Sequence, residues 1–166
     1  MDLKLEGKTA VVTGGSVGIG KAIALCLAQE GVDVAICARR KDVLDDTAAE
    51  IARATNRKIV PLVADLTKTE DANAFIEGAA EALGRIDILV NNAGAAAGGT
   101  LESLTDDDWE AALALKFFGY VRCTRAVVPY MKKQGGGRVV NLIGNDGVKP
   151  SYWEVAPGAA NAAGQN

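Results

Sequence analysis

The stretch KTAVVTGGSVGIG, residues 8–20, decides the fold of this chain. An apolar, β-branched run over residues 9–12 ends at a pair of glycines, and the apolar residues that follow recur at helical spacing: Ile19, Ile23, Cys26 and Leu27. This change of period predicts a short strand that leads through a glycine turn into a helix. The free N–H groups and the positive dipole end of a helix that begins near Gly18 would point back at the turn. The stretch therefore predicts an anion site for a pyrophosphate.

Three glycines of this turn are expected for steric reasons. A side chain at Gly14 would obstruct the tight turn, one at Gly18 would hold the phosphates away from the backbone, and one at Gly20 would wedge the helix off the strand. A glycine-rich turn alone is equally compatible with an ordinary tight strand-to-helix connection. The spacing Gly-x-x-x-Gly-x-Gly, preceded by Thr13, makes this turn more specific.

The composition predicts one domain over residues 1–166 that acts on a small molecule. The chain is 49% hydrophobic, which is enough apolar material for a substantial core. Its net charge of −3 is small and its basic residues are scattered, so neither nucleic acid nor a membrane is expected as a partner. No apolar run has the length of a spanning helix, and the N-terminus lacks the apolar core of a signal peptide, which predicts a cytoplasmic protein.

Histidine is absent from the sequence, and cysteine occurs three times. The lack of an imidazole base excludes the triads of serine and cysteine hydrolases. Cys26, Cys37 and Cys123 have no C-x-x-C spacing and lie in apolar patterns. They are therefore predicted to be buried thiols, and no metal site is expected.

Strand and helix patterns alternate along the chain. After the first strand, four β-rich runs are predicted strands, at residues 32–38, 58–63, 86–90 and 138–143. Such alternation favours right-handed parallel crossovers. The sequence therefore predicts an α/β fold, a doubly wound parallel sheet with helices on both faces and strand order 3-2-1-4-5.

Two of the predicted helices carry clear start signals. Thr67 followed by Glu70 predicts a capping box at the third helix. Thr105, followed by three aspartates, predicts the start of a long helix that runs to about Lys133. From Gly144 onward the signals weaken to a loop rich in helix breakers and a small-residue segment that indicates a helix barely begun.

Polar residues follow the second and third predicted strands, at the edge where ligands bind in an open parallel sheet. Arg39 and Arg40 stand where an acidic residue could hold an adenosine ribose, and their guanidinium groups could bind a 2′-phosphate instead. The alternative is a solvated charge run with Lys41. Asp65 could accept from an adenine amine or be an ordinary loop carboxylate. The arginine pair favours NADP over NAD.

Three motifs at successive strand ends, TGGSVGIG, Asp65-Leu66 and the NNAG of residues 91–94, resemble the short-chain dehydrogenase/reductase family along essentially the whole chain. The resemblance implies a Rossmann-like fold, a nicotinamide cofactor and hydride transfer to or from a carbonyl. The expected cofactor is NADP, with NAD as the alternative. Its expected contacts are Gly14, Ser16, Val17, Gly18, Ile19, Gly20, Arg39, Arg40, Asp65, Leu66, Asn91, Ala93 and Gly94.

The proton-transfer residues of that family are missing from their expected positions. The family pattern has an Asn in the long helix, a Ser after the fifth strand, and a Tyr and a Lys spaced Y-x-x-x-K on the next helix. Here Lys116, seven residues after Trp109, takes the place of the Asn, and Gly144 takes that of the Ser. Pro157 and Asn161 stand in place of the Tyr and the Lys, and proline cannot relay a proton.

Lys116 and Asn161 are the candidate catalytic residues, as though an ammonium and an amide had exchanged places. Tyr152 is the nearby tyrosine and the third candidate. A packed loop aromatic beside Trp153 is the simpler interpretation of that residue.

Two hypotheses for the function follow. The first is an NADP-dependent oxidoreductase with an altered proton relay, and the second is a catalytically inactive nucleotide-binding pseudoenzyme or assembly subunit. Relatives in the family continue through further helices and strands, so the C-terminal part of the domain is expected to be absent. A homo-oligomer is expected through the helix of residues 106–133, because its apolar face is broader than one sheet face requires. That face consists of Leu113, Phe117, Val121, Val128 and Met131.

Overall fold

Five parallel strands form one sheet in the computed structural model, which describes residues 3–95 and 97–166. The strands are β1 (Thr9–Thr13), β2 (Asp33–Ala38), β3 (Ile59–Val63), β4 (Ile88–Asn91) and β5 (Arg138–Asn141). They are hydrogen-bonded in the order β3-β2-β1-β4-β5, and every pair is parallel. The predicted fold class and strand order are confirmed.

Helices cover both faces of this sheet. They are α1 (Gly18–Gln29), α2 (Lys41–Thr55), α3 (Thr69–Leu83), α4 (Asp106–Ala112), α5 (Phe118–Lys133) and α6 (Val155–Gly164). Val11 packs in a core cluster with Phe75 of α3 and Val127 of α5, whereas its neighbour Val12 packs in a second cluster with Leu44 of α2. Both faces of β1 are buried, which agrees with the continuous apolar run over residues 10–12 at its centre.

The exposure of two side chains differs from the sequence predictions. Cys37 and Cys123 are buried as predicted, but Cys26 is exposed, because it lies on the solvent side of α1. Met131 is 7% exposed and packs in the core with Val127, so it does not contribute to an outer face of the long helix. Over residues 3–95 and 97–166, no helix is long and apolar enough to cross a membrane.

The two predicted helix starts have different outcomes. At Thr105 the structure has a capping box, in which the Thr105 hydroxyl accepts from the N–H of Asp108 and the Asp108 carboxylate accepts from the N–H of Thr105. The capping box predicted at Thr67 is wrong. The residue before α3 is Lys68, which has no side-chain cap, and the Thr67 hydroxyl donates to Asp65 Oδ1 at 2.8 Å. The Asp65 carboxylate therefore keeps Thr67 in the turn after β3.

The predicted long helix contains a π-helical turn. The segment Leu113–Phe117, which joins α4 to α5, has this conformation, and it contains Lys116. The Ala114 carbonyl within the turn accepts from Arg122 Nη1 at 2.8 Å, and the same nitrogen donates to the Leu66 carbonyl at 3.2 Å. Turns of this kind occur frequently at functional sites.

The C-terminal segment is more ordered than its sequence indicates. Asn145–Gly147 form a short 3-10 helix, and α6 begins at Val155 rather than among the alanines. Pro157 lies in the first turn of α6, where its missing N–H would have no partner within the helix. α6 packs against both the 3-10 helix and the π-helical turn, and so brings the end of β5 close to Lys116.

Candidate active site

An open cleft of about 820 Å³ lies at the carboxyl ends of the strands. Residues after all five strands line it, and this is the edge at which ligands bind in doubly wound sheets. Every cofactor-binding residue predicted from the sequence lines the cleft except Gly18 and Asn91.

The turn between β1 and α1 is built from main chain in close contact. Gly14 has a φ of 67°, a conformation that residues with a side chain rarely adopt. A Cβ at Gly20 would lie 2.1 Å from the Gly14 carbonyl oxygen, so no side chain fits there. The residue before α1, Val17, gives the helix no side-chain cap. The first N–H groups of α1 are thus available to an anion in the cleft.

Gly18 is needed for its backbone conformation. Its φ is 56°, and a Cβ built on it meets nothing within 4 Å. The structure therefore places the missing side chain of Gly18 in open space.

Thr13 and Asn92 join this turn to the segment that follows β4. The Thr13 hydroxyl accepts from the N–H groups of Asn92 at 2.8 Å and Ala93 at 2.9 Å. Asn92 Nδ2 in turn donates to the carbonyl oxygens of Thr13 at 2.9 Å and Gly14 at 3.2 Å. The predicted cofactor contacts included neither residue, although Thr13 precedes the glycine turn and Asn92 is the second amide of the NNAG motif.

Asn91 is directed into the sheet instead of the cleft. It is fully buried, and its Nδ2 donates to Asn141 Oδ1 at 2.8 Å and Thr124 Oγ1 at 3.1 Å. These bonds link β4 to β5 and α5. Its neighbours Asn92, Ala93 and Gly94 line the cleft in its stead.

A positive surface follows β2 at one end of the cleft. Arg39 and Arg40 are exposed there and form no hydrogen bond or ion pair within the part of the chain that the structure describes. Asp65 lies beside them after β3. The Thr67 hydroxyl, with smaller contributions from the Thr67 N–H and the Arg39 charge, holds the pKa of Asp65 below its ordinary value. Asp65 is therefore ionised at neutral pH.

Lys116 lies at the opposite end of the cleft. Its Cδ is 3.4 Å from the position that a Cβ on Gly94 would occupy, so the lysine stem lies beside Gly94 in the cleft wall. Its ammonium forms no hydrogen bond or ion pair with any of residues 3–95 or 97–166.

Asn161 holds the loop that follows β5. It is 2% exposed, and its Oδ1 accepts from the N–H of Gly144 at 2.8 Å. Its Nδ2 donates to both carboxylate oxygens of Asp146, at 2.9 and 3.0 Å. The side chain thus faces the cleft wall at Gly144, and its hydrogen bonds are made to Gly144 and Asp146. Sequence reasoning missed Asp146, which lies in the weakly patterned loop.

The same loop is held from the other side by Tyr120 on α5. Its hydroxyl donates to the Leu142 carbonyl at 3.0 Å, and burial raises the pKa of Tyr120 to about 12. Tyr152, the tyrosine proposed from the sequence, is 81% exposed and does not line the cleft. The structure brings Lys116 and Gly144 together in one cleft but leaves Tyr152 outside it.

The arrangement of glycine turn, Asp65-Leu66 and NNAG at successive strand ends has known counterparts. The sequence profile of the short chain dehydrogenase family matches residues 8–166. The chain belongs to the short-chain dehydrogenase family. This is a family of oxidoreductases. Its Rossmann-like, nucleotide-binding fold agrees with the strand order of the sheet described above.

Members of the family in several organisms are similar to this chain. The 3-oxoacyl-[acyl-carrier-protein] reductase FabG of Thermotoga maritima is 38% identical over 140 residues, which are 84% of this chain and 56% of that protein. The structure of L-sorbose reductase from Gluconobacter frateurii, complexed with NADPH and L-sorbose, has a TM-score of 0.95 at 33% identity, over 99% of this chain and 62% of that one. The structure of NAD+-bound xylitol dehydrogenase has a TM-score of 0.92 at 30% identity, and the match covers 96% of this chain and 62% of that one.

These family members differ from the present chain in length and from one another in nucleotide. The chain spans 56% of the Thermotoga reductase and 62% of both the sorbose reductase and the xylitol dehydrogenase chains. One of those structures holds NADPH and the other NAD+. Family membership thus establishes the nucleotide-binding fold, while the choice of nucleotide depends on the residues of the cleft.

Proposed function

We propose that this chain binds NADP(H) and acts as an oxidoreductase that transfers hydride to or from a carbonyl or alcohol substrate. The observation that carries the proposal is the pair Arg39 and Arg40, which line the cleft after β2 and form no salt bridge or hydrogen bond within the described residues. Two guanidinium groups there suit the 2′-phosphate that NADP has and NAD lacks.

The remainder of the cleft supports the same nucleotide. The uncapped start of α1 suits the pyrophosphate, because its N–H groups and its dipole both favour an anion. The ionised Asp65 carboxylate can accept a hydrogen bond that the adenine amine donates. The nicotinamide would then lie toward β4 and β5, near Gly94 and Lys116.

Calorimetric titration of NADPH and NADH tests the assignment. Replacing Arg39 and Arg40 by alanine should weaken NADPH binding about 30-fold or more, and NADH binding by about twofold or less. Arg53→Ala is the matched control, because Arg53 is an exposed arginine in the last turn of α2. Equal losses for the two nucleotides would refute the proposal.

At the reacting end, we propose a role for the exchanged pair of Lys116 and Asn161. Lys116 would provide a positive charge near the reacting carbonyl, and Asn161 would hold the Gly144 loop against the cofactor. Only the former lines the cleft; the amide of the latter is occupied by Gly144 and Asp146.

The competing proposal is a nucleotide-binding pseudoenzyme or assembly subunit. It is favoured by the absence of a phenol from the cleft lining in the described residues, with Pro157 in the family's tyrosine position. The two proposals differ in turnover. Oxidation of NADPH in the presence of a panel of ketones and aldehydes, followed by nicotinamide absorbance, supports the oxidoreductase. Binding without any turnover supports the pseudoenzyme.

We also propose that the chain forms a homo-oligomer through the helix over residues 106–133. Phe118 is 46% exposed on α5, and its ring lies 5.1 Å from that of Phe117. Leu113, Val121 and Val128 are only partly buried. Light scattering at micromolar concentration should detect a dimer or a larger assembly, and Phe118→Ser should weaken it. A monomer would contradict the proposal.

A further inference from the structure

The end of the cleft toward β5 is apolar except for one cation. Lys116 shares this end with Leu115, Leu142, Ile143 and Gly144. Among the described residues that line the cleft, Asp65 is the one with a carboxylate. It follows β3, at the opposite edge of the sheet from β5. The Lys116 ammonium thus lies among apolar and small neighbours with no acceptor from the described chain, a setting that favours binding of an anion.

The carboxylate of Asp146, in the loop after β5, is bonded to Asn161. Both of its oxygens accept from Asn161 Nδ2, and it forms no ion pair with Lys116. The same Asn161 also accepts from the N–H of Gly144, so one residue of α6 holds both positions of the loop. Asp146 is therefore hydrogen-bonded to Asn161, and the Lys116 ammonium has no ion pair with it and lines the cleft.

The position of Lys116 is fixed from two sides. Arg122 holds the Ala114 carbonyl of the π-helical turn and the Leu66 carbonyl of the cleft wall. The lysine Cδ and Cγ lie 3.4 and 3.7 Å from the position that a Cβ on Gly94 would occupy. A charge that is positioned in this way can select a ligand rather than only attract counterions.

We propose that Lys116 binds the carboxylate of the substrate, and that the substrate class is oxo acids and the corresponding hydroxy acids. The inference rests on the proposed function, in which Arg39, Arg40 and the glycine turn already hold the anionic groups of the cofactor. A single ammonium is a point charge that matches one carboxylate, whereas a phosphate dianion is usually held by several donors.

Binding of acid and ester pairs tests this inference. Pyruvate, 2-oxopentanoate and phenylpyruvate are each titrated, beside their methyl esters, into the protein saturated with NADP+, where no hydride can be transferred. At least one acid should bind about tenfold more tightly than its ester. Lys116→Gln should reduce this preference to about twofold or less, and Lys116→Arg should retain it. Lys149→Gln, a change of the same kind at an exposed loop lysine, should leave it unchanged.

Three results would overturn the inference. The first is that no acid is preferred over its ester. The second is that Lys116→Gln leaves the acid preference intact; if the same variant also bound NADP+ about tenfold more weakly, the lysine would serve the nucleotide instead. The third is Lys116-dependent binding of inorganic phosphate that is tighter than that of every acid. Repeating the titrations without nucleotide separates this inference from the proposed function, because a Lys116-dependent acid preference can be measured even if NADP+ does not bind.

Discussion

The glycine turn after β1 and the loop after β5 line one cleft but are held together differently. At the turn, main-chain atoms make the close contacts, and the space at Gly20 is filled by the carbonyl of Gly14. At the loop, side chains from two helices hold the main chain, since Asn161 binds the Gly144 N–H and Tyr120 binds the Leu142 carbonyl. The turn therefore requires that Gly20 has no side chain, with Thr13 and Asn92 bonding it to the segment after β4. The loop depends instead on the side chains of Asn161 and Tyr120.

This difference suits the two tasks that we propose for the cleft. A nucleotide pyrophosphate is the same in every reaction, and backbone N–H groups can bind it in any sequence that allows the turn. Substrates differ between members of a family, and a wall that side chains hold can change with a few substitutions. Of the residues that replace the family's proton-transfer set, Gly144 lies in this loop and Asn161 holds it from α6, while Lys116 lies in the π-helical turn that packs against α6.

The largest expected loss of stability comes from adding one methyl group to the glycine turn. Gly20→Ala would place Cβ 2.1 Å from the Gly14 oxygen and 2.5 Å from Asn92 Nδ2, so either the turn or α1 must move. We expect a loss of about 3 kcal/mol in chemical denaturation, together with loss of NADPH binding.

The matched control is Gly78→Ala in α3. The new Cβ there would lie 3.5 Å from Leu62, an ordinary contact, and alanine favours the helix. We expect a gain of about 0.5–1 kcal/mol. Similar losses for the two variants would show that the turn is not the tight contact described here.

The next prediction concerns Tyr120 and the alkaline stability of the β5 region. The folded-state pKa of about 12 exceeds the ordinary value of 10.0, so the unfolded chain loses this proton first. Stabilisation by the neutral hydroxyl is then complete below the ordinary value and is lost as the pH rises toward the folded-state pKa. The expected loss is on the order of 2 kcal/mol over that window.

Comparing the wild type with Tyr120→Phe isolates this effect. The phenylalanine variant is expected to be the less stable one below pH 10, roughly the ordinary tyrosine pKa, and the difference should shrink as the pH rises. Tyr152→Phe, at an exposed position, controls for ionisation of tyrosines in general. A stability difference that does not change with pH would contradict the prediction.

Gly144→Ser tests whether the loop after β5 can accept the family's residue. The added Cβ would lie 2.4 Å from Asp146 Oδ1 and 2.6 Å from Asn161 Nδ2, so the carboxylate–amide pair would have to move. We expect a loss of about 2 kcal/mol in denaturant titration. In the background of Asp146→Ala the same serine should cost less, because one of the two obstructing groups is gone. Equal costs in both backgrounds would show that the pair does not fill the serine's place.

The fold and the cofactor end could be predicted because their signals are local. The apolar run of β1, the positive-φ glycine at residue 14 and the residues after β2 to β4 each determine structure within a few positions. Asn91 is the instructive exception. Two adjacent asparagines in NNAG cannot both face the cleft, because successive side chains point to opposite sides, and the sequence does not tell which of them does.

The reacting end could not be predicted because its contacts are long-range. Asn161 meets Gly144 across 17 positions and Asp146 across 15. Hydrophobic periodicity carries no information about such a contact, so Asp146 was missed. For the same reason the sequence could not show whether Tyr152 takes the place of the family's tyrosine. The π-helical turn at Lys116 is equally invisible to a helical pattern, since the apolar spacing continues through it.

The smallest expected loss of stability distinguishes the nucleotide site from the backbone that supports it. Gly18 and Gly84 both have positive φ, 56° and 79°, and neither has any atom within 4 Å of its missing Cβ. Alanine at either position should therefore cost only the strain of that conformation, about 1 kcal/mol in denaturant titration. Gly18 begins α1, beside the proposed pyrophosphate, whereas Gly84 ends α3 away from the cleft. NADPH affinity should fall about tenfold or more in Gly18→Ala and should be unchanged in Gly84→Ala. Unchanged affinity in both variants, at the expected stability cost, would mean that the phosphates bind elsewhere than at the start of α1.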